Sequence, residues 1–215
     1  PMLNLRPERW FKNAVEEYKR IDTDMLDQFL TRHDSGLSVL PNDGQMPEEG
    51  TINEDQVSKI LLICKGKFDF TIVDTFPLLT SLNLSIMDLA DKILLITEAV
   101  VPSVRTAKYN LELLRQAGYD ERRIDVVINR YTSFRGNITP DMVSETLNWP
   151  VKYVVPYDRY VTIAANEGVP VVNMVPNSLV SQSILGIVSD ITNTPEGVVQ
   201  SEAPGFMKQI KAFFG

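Results

Sequence analysis

Cysteine and histidine are almost missing from this sequence, which has one of each, Cys64 and His33. A lone cysteine excludes an internal disulfide and fits a reducing compartment. A lone histidine leaves no histidine pair for a zinc site. A histidine-based triad would have to use His33, which lies in the polar run Thr31 to Gly36 and reads as a solvated loop residue. Clustered positive charge is also lacking. The formal charge is -7 with a pI near 4.8, and no Lys/Arg cluster offers a surface for nucleic-acid phosphates, so no nucleic-acid partner is expected. No apolar run approaches the roughly 18 residues that a spanning helix needs, and no secretory signal is visible. A cytoplasmic location is therefore expected. The chain opens on Pro1 rather than on methionine, and further residues ahead of it are expected.

What is present is apolar material for one substantial core, 44% of 215 residues, which favours one domain over two. Residues 1–35 read as two helices, one carrying Trp10, Phe11, Ala14 and Tyr18, the other Met25, Leu26, Phe29 and Leu30 after an Asp22-Thr23 start. Leu37 to Pro41 reads as a short strand and Asn42 to Gly50 as a loop. Asn53 to Lys65 regains helical spacing, with Gly66 as its C-cap. Phe68 to Pro77 is then a short apolar run that ends in a carboxylate and breaks at proline. Without polar alternation, it reads as a parallel strand covered on both faces. Ligands of open α/β sheets bind beyond the carboxyl ends of such strands, so Asp74 is either a site residue or a cap for the helix near Thr80 and Ser81.

From there one pattern repeats. Ile93 to Ile96 ends in Thr97 and Glu98, and Pro102 opens a helix that runs to Gly118. Ile124 to Ile128 ends in Asn129 and Arg130, and Thr139-Pro140 starts another helix. Tyr153 to Val155 ends in Pro156, Tyr157 and Asp158, and Ser178 to Ile191 forms the last helix. Strands alternating with helices of ten or more residues predict an α/β fold with a mostly parallel sheet and helices on both faces. Asp74, Thr97, Asn129 and Asp158 then share one rim of the sheet, which favours the functional reading of Asp74.

These residues carry a resemblance. Asp69 to Pro77 resembles the Walker B segment of the MinD/ParA ATPases. The likeness continues through Ala90 to Thr97, Val104-Arg105, Val127 to Arg130, Val155 to Asp158, Asn166 to Val172 and Pro176 to Ser178. Leu30 to Pro41 looks most like the CpaE/TadZ branch, which serves assembly and polar placement of Flp/Tad (type IV) pili. Two positions depart from the family pattern: Phe76 stands where proline is commoner, and Val100 where MinD-like chains often carry glutamate.

The resemblance implies a P-loop NTPase fold of the SIMIBI type that uses ATP and Mg²⁺. Asp74 is its implied catalytic and metal-side acid, holding Mg²⁺ through water. Asn129, with Arg130, is implied at the adenine edge, and Pro156, Tyr157 and Asp158 as walls for the base. Read without the resemblance, Asn129 is a turn residue leaving a strand. The glycine-rich phosphate loop is absent from these residues: Gly66-Lys67 is the only Gly-Lys pair, without a partner glycine and followed by Phe68. The resemblance therefore implies that the N-terminal strands, with the phosphate loop, its lysine and the switch I aspartate, lie upstream of Pro1. ATP hydrolysis belongs to the intact protein, and these 215 residues are expected neither to bind ATP nor to fold cleanly.

By this reading residues 1–191 form a partial ATPase domain, 192–205 a linker and 206–215 an amphipathic helix. Phe206, Met207, Ile210, Phe213 and Phe214 share one face of that helix, opposite Lys208 and Lys211. It either lies on a membrane, as the resemblance to the C-terminal helix of MinD implies, or packs on its own domain. The implied partners are a second copy in an ATP-dependent homodimer and pilus, secretion or polar proteins. The implied location is the cytoplasm, with peripheral attachment at the inner face of the plasma membrane or the cell pole. Two alternatives are a non-catalytic localisation scaffold of the same fold and a MinD-like regulator of the cell-division site.

Overall fold

A computed structural model describes residues 3–42 and 52–193. The described chain divides into two compact units, residues 4–90 and residues 91–193.

In the first unit, helices α1 (Phe11–Glu16), α2 (Thr23–Leu26) and α3 (Glu54–Lys67) surround a core of Ala14, Val15, Ile21, Leu26, Phe29, Ile60 and Cys64. The starts of α2 and α3 have a sequence cause. Asp22 accepts from the Met25 amide, and Asn53 and Gln56 form a reciprocal capping box at 2.9 and 3.0 Å. Strands β1 (Thr31–Arg32) and β2 (Ser38–Val39) pair antiparallel across a turn that holds Gly36 at φ +89°. His33 belongs to that turn, its Nδ1 2.8 Å from Ser35 Oγ. Gly66 does not cap α3, which continues through it to Lys67. Lys67 is held by Asp27 at 2.9 Å, and that hydrogen bond draws the Asp27 carboxyl below its ordinary range. The long apolar reading of residues 1–35 yields only short helices.

The largest difference lies at residues 68–77. They are extended in part but form no ladder with any described strand, and Asp69 to Leu78 are all exposed. Ile72 is 93% exposed. A strand needs partners to bury its faces and satisfy its backbone groups, and none is found among the described residues. Helix α4 (Ser81–Leu89) follows, capped by Thr80.

The second unit is the expected α/β layer. Strands β3 (Ile93–Thr97), β4 (Ile124–Tyr131) and β5 (Val151–Pro156) lie parallel in the order β3-β4-β5. Residues 124–128 of the central strand are all buried, as a strand covered on both faces requires. Helix α5 (Val101–Gln116) buries Val104, Ala107, Leu111 and Leu114, and α6 (Pro140–Leu147) buries Val143 and Leu147. Next in order are α7 (Arg159–Glu167), α8 (Val171–Met174) and α9 (Leu179–Thr192). From α9, Val180, Ile184 and Ile187 pack with Val127 and Val155 of the sheet. Gly118, at φ +84°, takes the left-handed position beyond α5, where the Tyr119 amide reaches back to the Leu114 carbonyl.

At the amino ends of these strands one carboxylate ties all three. Asp125 Oδ2 lies 2.8 Å from Lys92 Nζ, just before β3, and 3.2 Å from Lys152 Nζ on β5. A register shift between Val126 and Val127 makes Lys152 the extra residue on β5. Tyr153 and then Asp125 hold the Lys152 ammonium above its ordinary range, and the Tyr153 hydroxyl donates to Asp190 of α9 at 2.9 Å. Replacing Asp125 by alanine leaves two lysines without their shared partner. It should lower unfolding stability by about 2–3 kcal/mol, since charged hydrogen bonds of this depth are worth that much. Urea denaturation of D125A against wild type measures the loss.

Candidate functional site

The carboxyl ends of β3, β4 and β5 form the rim expected to carry function. Thr97 closes β3 as a buried residue, and Glu98 follows it. The end of β4 is irregular: Ile128 is in register with Val154 but Tyr131 with Pro156, so Asn129 and Arg130 together oppose one residue of β5. Arg130 adopts a left-handed backbone at φ +56°. Such a bulge re-aims side chains at the sheet edge and costs a non-glycine residue about 1 kcal/mol. The Asn129 Oδ1 accepts from the Arg130 amide at 3.0 Å, which leaves the carboxamide NH₂ as the group's donor. Arg130 Nη1 lies 3.5 Å from Glu98 Oε1, linking the ends of β4 and β3.

The end of β5 is tied to the same place. The Tyr157 amide donates to the Tyr131 carbonyl at 2.8 Å. Pro156 is half-buried, and Tyr157 keeps 53% of its surface exposed. Asp158 caps α7 by accepting from the Tyr160 amide at 2.8 Å. Asn129, Arg130, Pro156, Tyr157 and Asp158 are thus brought to one rim, with an amide, a guanidinium, a flat phenol ring and a carboxylate. That set can bind a planar, polar-edged ring by hydrogen bonding and stacking.

Asp74 belongs to the first unit and is exposed, on the extended stretch without a ladder. One residue that the sequence reading passed over organises the backbone behind it. Asn83 is buried, and its Nδ2 donates to the Phe76 carbonyl at 2.9 Å and also to the Leu78 carbonyl. Its signal was its place at the third position of α4 after the Thr80 cap. Residues 76–78 therefore have a fixed path although their side chains are exposed.

The residues present fit a nucleotide with Mg²⁺ only in part. Asn129, Arg130, Pro156, Tyr157 and Asp158 share a rim, whereas the phosphate-cradling loop is absent from the sequence. Among the described residues no group of three His, Cys, Asp or Glu side chains could hold a metal ion. No described helix is long and apolar enough to cross a membrane.

The fold is of the parallel-sheet α/β class seen in ParA and MinD P-loop NTPases. No family model matches the chain. It is 26% identical over 187 residues to the septum site-determining protein MinD of Thermotoga maritima, covering 83% of this chain and 68% of that one. It superimposes on a ParA family ATPase from Chlorobium tepidum with a TM-score of 0.79 at 20% identity, covering 86% of this chain and 78% of the other. MinD of Pyrococcus horikoshii complexed with Mg-ADP gives a TM-score of 0.64 at 18% identity, covering 86% and 81%. Sequence likeness and fold together support homology to the MinD/ParA P-loop ATPases.

Changing Asn83 to alanine should loosen residues 76–80, since it removes two buried hydrogen bonds worth about 1–3 kcal/mol together. Hydrogen exchange of the 76–83 amides should speed up while that of β4 stays unchanged. Equal protection in both variants would show that Asn83 does not hold this stretch.

Proposed function

We propose that this protein is an ATP-binding, ATP-hydrolysing member of the MinD/ParA group, in which Asn129 and Arg130 read the adenine edge. Pro156, Tyr157 and Asp158 would wall the base. Asp74 would be the Mg²⁺-side and catalytic acid. The observation that supports the reading is the bulged end of β4, where Asn129 and Arg130 oppose one residue of β5 just before the Tyr157 amide bonds the Tyr131 carbonyl. Mg-ADP in the Pyrococcus horikoshii structure supports the choice of ligand. The phosphate loop would come from sequence outside these 215 residues, and the unladdered stretch at 68–77 supports that view. ATP would drive a homodimer.

The expected experiment compares these 215 residues with the longer product of the open reading frame. Mg-ATP should raise the melting temperature of the longer form only. Asn129→Ala should weaken ATP binding about tenfold, as loss of a base-edge hydrogen bond does, and Asp74→Asn should remove the Mg²⁺ dependence and the hydrolysis. A Mg-ATP shift in the 215 residues alone would overturn the placement of the phosphate loop. No shift in either form would leave the localisation scaffold as the better reading.

The pathway is proposed as assembly or polar placement of Flp/Tad pili, on the resemblance of Leu30 to Pro41. A cell-division-site role is the second reading, favoured by the similarity to a septum site-determining protein. The ATPase domain at 1–191, the linker at 192–205 and the amphipathic helix at 206–215 stand as proposals, and the last two lie almost wholly outside the described residues. The apolar face from Phe206 to Phe214 would attach a cytoplasmic protein peripherally to the membrane, with two copies in a dimer adding their weak affinities. Vesicles with anionic lipid should sediment the full chain and leave behind a form ending at residue 203; equal sedimentation of both would remove the membrane role.

A further inference from the structure

The fold of the first unit gathers positive charge that is dispersed in the sequence. Arg6 and Arg9, ahead of α1, and Arg32, in β1, line one hollow of about 280 Å³. Glu8 is the only carboxylate in its lining among the described residues, and Gln28 and Thr31 add neutral polar groups. Three guanidiniums against one carboxylate are a marked local excess in a chain of net charge -7.

One of the three arginines is held in place. The Arg9 guanidinium lies over the Phe29 ring, 5.3 Å from its centroid, and Phe29 is a buried member of the core. The backbone of Arg32 is placed by the β1–β2 pairing, while its exposed side chain makes a long 3.5 Å contact to Asp27. Asp27 is engaged more closely by Lys67, at 2.9 Å, so it only partly neutralises Arg32. Among the described residues neither Arg6 nor Arg9 pairs with a carboxylate. Guanidinium forks match the oxygens of phosphate with paired hydrogen bonds, and converging arginines favour a ligand with more than one anionic oxygen group.

We propose that this hollow is a binding site for a small phosphate-bearing anion, held by Arg6, Arg9 and Arg32 and separate from the strand-end rim. The probe is inorganic pyrophosphate, titrated into the full chain at fixed ionic strength and followed by calorimetry. Binding should be saturable. Arg9→Gln and Arg32→Gln should each weaken it about tenfold, as loss of a charge-assisted bidentate contact does. Arg9→Lys, which keeps the charge and loses the fork, should fall between, and it serves as the measurement should Arg9→Gln fail to fold. Arg20→Gln, at an exposed arginine paired with Glu17 outside the hollow, should bind as wild type does. No saturable binding, equal binding by the Arg9 and Arg32 variants, or an equal loss in Arg20→Gln would each overturn the proposal. Citrate binding more tightly than pyrophosphate would overturn its assignment to phosphate.

Discussion

The ion pairs of Asp125 set the geometry of the second unit. Parallel strands have no hairpins to fix their register, and here a side chain at the amino ends does that work. Lys92, just before β3, Asp125 on β4 and Lys152 on β5 meet at 2.8 and 3.2 Å. Desolvating the carboxylate is costly, and two cations with the surrounding hydrogen bonds offset that cost. The bulge at Lys152 is what lets its ammonium reach.

The second bulge in the same strand pair answers the first. One extra residue on β5 near its start and one on β4 near its end bring the pair back into step at Tyr131 and Pro156. The amino-end clamp and the carboxyl-end rim are thus two ends of one ladder. The spacing of Asn129, Arg130 and Tyr157 at the strand ends depends on it. The interior between the two ends is nearly featureless Val and Ile packing, able to carry chemistry only at its margins.

Much of the second unit was legible because its signals are local. Apolar runs bounded by Thr97, Asn129 and Pro156 gave the strands, and the Thr139 and Ser178 caps gave the starts of α6 and α9. What could not be read depends on distant partners. The left-handed backbone of Arg130 follows from strand register, which no residue near it announces. Helices α7 and α8 carry weak local signals, because Pro156 and Asp158 mark the end of β5 while Asp158 is also the cap of α7. Residues 68–77 show the opposite error: an apolar run has the composition of a buried strand, but burial is conferred by neighbours. The arginine hollow is not legible in the sequence because Arg6 and Arg32 are far apart along the chain and line one hollow only once the first unit is folded.

The exposure of Phe70, Ile72, Val73 and Phe76 also gives their polar neighbours a second duty. Asp69 and Asp74 bracket Phe70, Ile72 and Val73 with negative charge, and Pro77, after Phe76, withholds a backbone donor from any chain that pairs with this stretch. Charges and prolines in such positions act as gatekeepers against intermolecular β-pairing. Neutralising Asp74 would therefore change the colloidal behaviour of the protein, through exposed apolar side chains that this carboxylate flanks.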